Sequence, residues 1–550
     1  LKIILFLTAA LALLVACSPD NGVGVDGSRG PASTTALHRG NGTEPQSLDI
    51  HKSDAVSSSN ILRDLYEGLV GQAPDGSLEP GAAASWEISE DGRTYLFHLR
   101  EDGRWSNGDP VTAQDFVFAL RRGVDPDTLS NYSGLLIPIL NAQAISAGRL
   151  PPESLGVEAV DDKTLRITLA NPSGYFLELL THSMSYPLHR ASAAQWPGAF
   201  ARPDRLVSNG AYMLDEWVMQ SHVKLVRNPH YRDRDDLRIH EVYYYPIENP
   251  AAELKRYRAG DLDWTGTVPH NQIKWIRENL SDQFKVSPYL GIYFFGFNLE
   301  RPPFRGQPGL RRALAMAVDR SIITEHLTGG GELPAYTFVP PLPGYSPLLP
   351  AWAEWPRERQ VAEAQRLYAE AGYGPERPLE VEILYNTSDN HRQMALAVAA
   401  MWKQTLGVRT QIINQEFKVF LATRRSKAET EIYRAGWIGD FSDPVNFLDI
   451  LRSDNGRNDT GYADPDYDGL LDRAAAEVDP ERRMRLLGEA EALMLEQQPV
   501  IPLYFYVTRR LVKPWVKGWQ GNALDANPTR HFYIDDDSAN DAAHEAVQIE

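Results

Sequence analysis

The chain has 550 residues, with 55 Lys plus Arg against 73 Asp plus Glu and a formal net charge of −18. Apolar residues make up 43%, aromatics 10% and charged residues 23%, globular proportions that exclude a disordered, fibrous or disulfide-stapled chain. The acidic balance argues against a nucleic-acid partner, whose phosphates demand clustered Lys and Arg, and the length predicts roughly two to four domains or lobes.

After Lys2, residues Ile3 to Ala16 carry no charge. This matches the apolar core of a secretory signal and is shorter than the roughly 18 to 20 residues of a spanning helix. The run ends Leu14-Val15-Ala16-Cys17, and Cys17 is the single cysteine of the sequence. That ending resembles a bacterial lipobox, so residues 1–17 read as a signal peptide and Cys17 as the lipidated residue of a membrane-anchored lipoprotein. A lone Cys has no partner for an internal disulfide. Residues 18–36, rich in Gly, Ser, Thr, Asp and Pro, read as a flexible tether.

Alternating strands are predicted at Tyr95–Leu99, Leu165–Leu169 and Val381–Tyr385. The turn Trp105 to Phe116 contains Asn107-Gly108, which supplies a positive φ, and Thr112, which can cap a helix with Asp115 three residues on. Ser208-Asn209-Gly210 reads as a second such turn. Helical stripes run through Val361, Ala364, Tyr368 and Ala371 up to Gly372, and through Met394, Val398 and Trp402 up to Gly407. A strand over Val408–Ile412 follows, and a third helix carries Met484, Leu487, Glu491 and Met494. Strand, helix and strand in succession predict an α/β architecture. Asp535 to Glu550 holds six acids and no Lys or Arg, a solvated tail carrying one third of the net charge.

Several motifs fail on their own chemistry. Asp464 to Gly469 copies the start of a calcium loop, but Ala475 stands where a bidentate Glu is needed. Gly329-Gly330-Gly331 lacks the Lys-Ser/Thr of a phosphate loop, and reads as a hinge or turn. No His-Glu-x-x-His or Gly-x-Ser-x-Gly occurs, so no metal, cofactor or catalytic residue is assigned. Dispersed catalytic sets are recognised by geometry, which leaves a secreted peptidase as an alternative.

Trp105 to Phe116, Asn209-Gly210-Ala211-Tyr212 and Arg312 to Arg320 together resemble the extracellular solute-binding proteins of the peptide/nickel family. Arg63 to Leu69, Leu384 to Asp389 and Leu511 to Trp515 extend the resemblance over residues 38 to 534, closest to the oligopeptide-binding proteins of ABC importers. The resemblance implies a class II periplasmic-binding-protein fold of three lobes, two hinged and one alongside. Lobe I would take 37–65, 189–290 and 508–550, lobe II 66–188 and lobe III 291–507. It implies a monomeric periplasmic receptor, not an enzyme, that hands short peptides to a permease driven by ATPase subunits. A murein-tripeptide receptor of the same family is the alternative.

A receptor for any peptide must read the ammonium, the carboxylate and the backbone amides that all peptides share. Arg434 and Asp440 lie six residues apart in Arg-Ala-Gly-Trp-Ile-Gly-Asp, with glycines that would let a ligand backbone approach. Taken alone, such a pair is more often a structural ion pair. The resemblance instead implies that Asp440, helped by Asp54, receives the ammonium, and that Arg434, His391 and Arg424 meet the carboxylate end. It places Tyr132, Tyr289, Trp437 and Tyr506 on the cavity wall, and Asn386 and Val56 against the peptide backbone. Phe417, Ile438, Gly296 and Thr328 depart from the Trp, Cys, Glu and Lys of the best-known members, and Asp54 is shorter than their Glu. These departures put side-chain preference in doubt, while leaving peptide binding itself intact.

Overall fold

A computed structural model of the chain describes residues 36–535 except Asp54, Asn131 and Pro343, and all side chains there except those of Phe417 and Lys418. The expected signal peptide, Cys17, the tether up to residue 35, Asp54, the Phe417 side chain and the tail from 536 lie outside the described residues. Ala36, expected as the last tether residue, is instead the first residue of strand Ala36–Gly40.

Three main sheets carry the fold. The first orders Ala36–Gly40, Glu241–Tyr245, His222–Arg227 and Tyr212–Val218, with the first pair parallel and the others antiparallel. The second is antiparallel throughout, in the order Ala83–Ile88, Thr94–Leu99, Thr164–Thr168, Val157–Ala159. The third has six strands ordered Leu333–Pro334, Val500–Leu511, Phe284–Phe297, Ile432–Ile438, Glu380–Asn386 and Arg409–Gln415. Its last three strands pair in parallel and the rest antiparallel. This is the mixed α/β architecture that the sequence pattern predicts.

The six-stranded sheet is buried on both faces. Along Phe284–Phe297, Tyr293, Phe295 and Phe297 enter one core while Leu290, Ile292 and Phe294 enter another. Successive side chains point to opposite faces, so both parities must be apolar here. Helices Arg357–Glu370 and Asp389–Leu406 cover the first face with Ala364, Leu367, Val398 and Trp402. Helices Pro465–Ala476 and Pro480–Gln497 cover the second with Leu471, Leu487 and Met494. A separate core, from Leu37 to Phe532, joins the two smaller sheets.

The expected turns form for partly different reasons. Gly108 has φ +91°, as the Asn-Gly turn requires. The Asp115 carboxylate accepts the Thr112 N–H and hydroxyl, each at 2.9 Å, and so starts helix Ala113–Val124. Ser208-Asn209-Gly210 is not a positive-φ turn. Asn209 brackets Glu67, accepting its N–H at 3.1 Å and donating to its carbonyl at 2.9 Å. Gly210 is there because a Cβ would stand 2.6 Å from the Asp64 carbonyl oxygen. Asp464 accepts the N–H groups of Asp466 and Tyr467, which makes the calcium-like segment a capped helix start. Gly329 takes φ +58° at the end of helix Ile323–Thr328, the turn expected of the triple glycine.

Candidate functional site

The strand Ile432–Ile438 lies between Phe284–Phe297 and Glu380–Asn386, and it positions both candidate charges. Arg434 stands opposite Phe295, and Gly436 opposite Tyr293. The Arg434 guanidinium lies 4.9 Å from the centroid of the Tyr293 ring and donates to Asn386 Oδ1 at 3.2 Å. Among the described residues it has no carboxylate partner, and it does not pair with Asp440. The Tyr293 and Tyr506 hydroxyls also hydrogen-bond to it, so all its partners are neutral and its charge is left for an anion to balance.

His391, in the first turn of helix Asp389–Leu406, sits with Nδ1 3.2 Å from the Tyr293 hydroxyl. Burial, and then the neighbouring Arg434 charge, push its pKa down to about 3. The imidazole is therefore neutral at physiological pH, a hydrogen-bonding group and not a second cation. His391 and Tyr506 line a cavity of about 150 Å³ together with Tyr293, Tyr504, Thr328 and Arg509. The Arg509 charge on this lining is met by buried Glu332 at 2.7 Å, and Arg434 stands behind the Tyr293 and Tyr506 rings of the wall.

Asp440 lies two residues beyond the strand, half-buried, and forms no hydrogen bond or ion pair among the described residues. Burial pushes its carboxyl up to about 6, against the pull of Arg457. A carboxylate left in poor solvent with only a distant cation is stabilised by any ammonium delivered to it. Trp437 is held beside it, donating its indole N–H to Asn446 Oδ1 at 2.8 Å with the Arg457 guanidinium 4.9 Å from its ring centroid. Tyr289 lies within electrostatic reach of Asp440, and Ile438 is 44% exposed.

Two expectations change on this geometry. The glycines between Arg434 and Asp440 make room for the protein itself. A Cβ on Gly436 would meet the Tyr506 hydroxyl at 2.6 Å, one on Gly291 would meet the Tyr506 ring at 2.7 Å, and one on Gly439 would meet Leu290 at 2.7 Å. Arg424 is not a free cation, since Asp459 engages it at 2.6 Å and the rings of Phe420 and Tyr433 flank it. Tyr132 packs near His182 at 5.3 Å on the core of the smaller sheets, and Val56, 56% exposed, begins helix Val56–Leu65. Tyr293 and Tyr504 were not singled out in the sequence, because they sit in runs of apolar residues that mark them as core.

A family model described as bacterial extracellular solute-binding proteins, family 5 Middle, matches residues 77–459. The Periplasmic oligopeptide-binding protein OppA of Escherichia coli (strain K12) is 38% identical over 533 residues, 96% of this chain and 97% of the relative. Among solved structures, the Escherichia coli murein tripeptide binding protein MppA superposes with a TM-score of 0.81 at 38% identity, covering 92% of this chain and 99% of that one. Haemophilus influenzae OppA in complex with RPPGFSPFR gives 0.79 at 37% identity, covering 92% and 99%. The α/β fold, with Arg434 on strand Ile432–Ile438, Asp440 two residues beyond it and a tyrosine-lined cavity, thus belongs to the bacterial extracellular solute-binding proteins of family 5.

Proposed function

We propose that this chain is the periplasmic receptor of an ABC importer, binding short peptides through their termini and backbone and presenting them to a membrane permease. The observation that carries this reading is the pair of half-buried, opposite charges at Arg434 and Asp440. Neither has an ion-pair partner among the described residues, and both come from one segment. Asp440 receives the ammonium; Arg434, with neutral His391 as hydrogen-bonding neighbour, receives the carboxylate. Asp54 is proposed as a second acid at the ammonium, and Asn386, Tyr132, Tyr289, Trp437, Tyr506 and Val56 as the walls. The bodies that close on the peptide are lobe I with lobe II, and lobe III, over the spans expected from sequence. A peptide bridging them favours the closed form by its differential affinity. The protein works as a monomer, tethered to the membrane by lipid on Cys17. No helix among the described residues is long and apolar enough to cross a membrane, and the intact mass of the mature protein tests the lipid.

A murein-tripeptide receptor is the second reading, supported by the likeness to MppA. Calorimetric titration with Ala-Ala-Ala, Lys-Lys-Lys and a murein tripeptide separates the two. Comparable binding of the first two supports the general receptor, binding of the third alone supports the alternative, and time-dependent cleavage of any of them overturns both in favour of a peptidase.

The charge assignment carries a pH signature. Asp440, free, takes up a proton near pH 6, while an ammonium beside it holds it ionised. Its contribution to affinity is therefore present above pH 6 and lost as pH falls below it. From pH 7 to pH 5 the ratio of wild-type to Asp440→Asn affinity for Ala-Ala-Ala should fall about tenfold. A ratio that stays flat removes Asp440 from the ammonium site.

A further inference from the structure

The loop that carries Asp440 is gripped from a different body of the protein. Phe441 stacks on Tyr175, with ring centroids 4.7 Å apart and planes 8° from parallel. Ser442 N–H donates to Glu178 Oε2 at 2.8 Å, across 264 residues of sequence. Tyr175 and Glu178 belong to the segment around helix Phe176–Leu179, whose Phe176 and Leu179 are rooted in the core of the smaller sheets. Residues 441–442 lie three and four positions beyond the end of strand Ile432–Ile438 of the six-stranded sheet. On the other side of the seam, Asp443 is locked by a buried two-point pair with Arg483, at 2.6 and 2.8 Å, and Arg483 also lies 5.4 Å from the Tyr175 ring centroid.

We propose that Tyr175 and Glu178 are positioning residues for the ammonium-receiving loop, gripping residues 441–442 from the neighbouring body and thereby fixing Asp440 in its binding geometry only when the two bodies are closed. The inference rests on the peptide-receptor reading and deepens it. The side chain that reads the ligand and the contacts that report closure occupy adjacent residues, so ligand capture and closure are linked through two peptide bonds. Backbone and ring contacts of this kind exist only while the bodies meet, and they add to affinity by stabilising the state that binds.

The groups facing Glu178 are the Ser442 N–H, the Asp443 carboxylate and the Arg483 guanidinium. Burial and the nearby Asp443 raise the Glu178 pKa, while the Ser442 hydrogen bond and Arg483 lower it, leaving it at about 7. A group whose pKa is raised by closure favours the closed form when protonated, and that contribution fades as pH rises through 7.

The test is Ala-Ala-Ala affinity, by calorimetry, for wild type, Glu178→Ala, Glu178→Gln and Tyr175→Leu. At pH 6, Glu178→Ala and Tyr175→Leu should each bind about tenfold more weakly, the scale of one hydrogen bond or ring contact. Glu178→Gln, which keeps an acceptor for Ser442, should bind close to wild type. Between pH 6 and pH 8 the wild-type-to-Gln affinity ratio should fall about tenfold, because wild type alone has a carboxyl to ionise there. Unchanged binding by Glu178→Ala, or equal losses in the Ala and Gln variants with a flat ratio, would overturn the proposal. If wild type takes up no tripeptide, the receptor reading fails, and the seam is then read by small-angle X-ray scattering. A larger radius of gyration for ligand-free Tyr175→Ala/Glu178→Ala than for wild type supports the seam, and equal radii overturn it.

Discussion

Asp440→Asn should lower Ala-Ala-Ala affinity by at least about 2 kcal/mol, roughly 30-fold, without lowering the unfolding midpoint. The two halves of that result come from one cause. In the free protein the carboxylate is half-buried, has no hydrogen bond or ion pair among the described residues and sits with its pKa raised to about 6. Removing its charge relieves a desolvation cost, so folding gains slightly or is unchanged. In the complex the same removal strands an ammonium in a place water reaches poorly, and that penalty falls wholly on binding. Titration calorimetry paired with urea denaturation checks both halves. Unchanged affinity would place the ammonium elsewhere, and a large loss of stability would make Asp440 a structural residue.

The largest expected effect on folding lies at Glu491. Its side chain is fully buried and accepts the N–H groups of Phe338 and Val339, each at 2.7 Å, and the Tyr345 hydroxyl at 2.6 Å. Those bonds tie the Pro-rich connector around residues 338–345 to helix Pro480–Gln497. Glu491→Ala orphans three buried donors and leaves a void, and should cost about 3–5 kcal/mol by urea unfolding. Glu491→Gln keeps a carbonyl for the two backbone donors and should cost less than half of that. Equal losses in the two variants would show that charge, not acceptor count, holds the connector.

Local signals in the sequence were readable wherever one face of an element meets water. Thr94–Leu99 alternates half-buried and buried residues, and helix Asp389–Leu406 stops at Gly407 with φ +75°, both as the pattern predicts. The central strand Phe284–Phe297 was not readable. Its last eight residues are all buried, Pro288 and two glycines interrupt it, and its ladder shifts register after Pro288. A strand covered on both faces has no polar alternation to show.

The site divides along the same line. The charges at 434 and 440 could be picked out because they are close in sequence and of opposite sign. What their surroundings do depends on partners far along the chain. Gly436 answers to Tyr506, Arg424 to Asp459, and Ser442 to Glu178. Periodicity and spacing carry no information about such pairings, so the glycines were read as room for a ligand when that room belongs to Leu290 at Gly439 and to a tyrosine at Gly436.

That tyrosine has an evolutionary consequence. The Tyr506 side chain fills two notches at once, its ring above Gly291 and its hydroxyl above Gly436. A methyl group on either glycine would push this side chain aside, and a smaller residue at 506 would leave space above both. The three positions are thus coupled, and a change at one calls for a compensating change at another. Ile438, 44% exposed, is freer to vary, so side-chain preference for the cargo is more easily altered there than at this tyrosine.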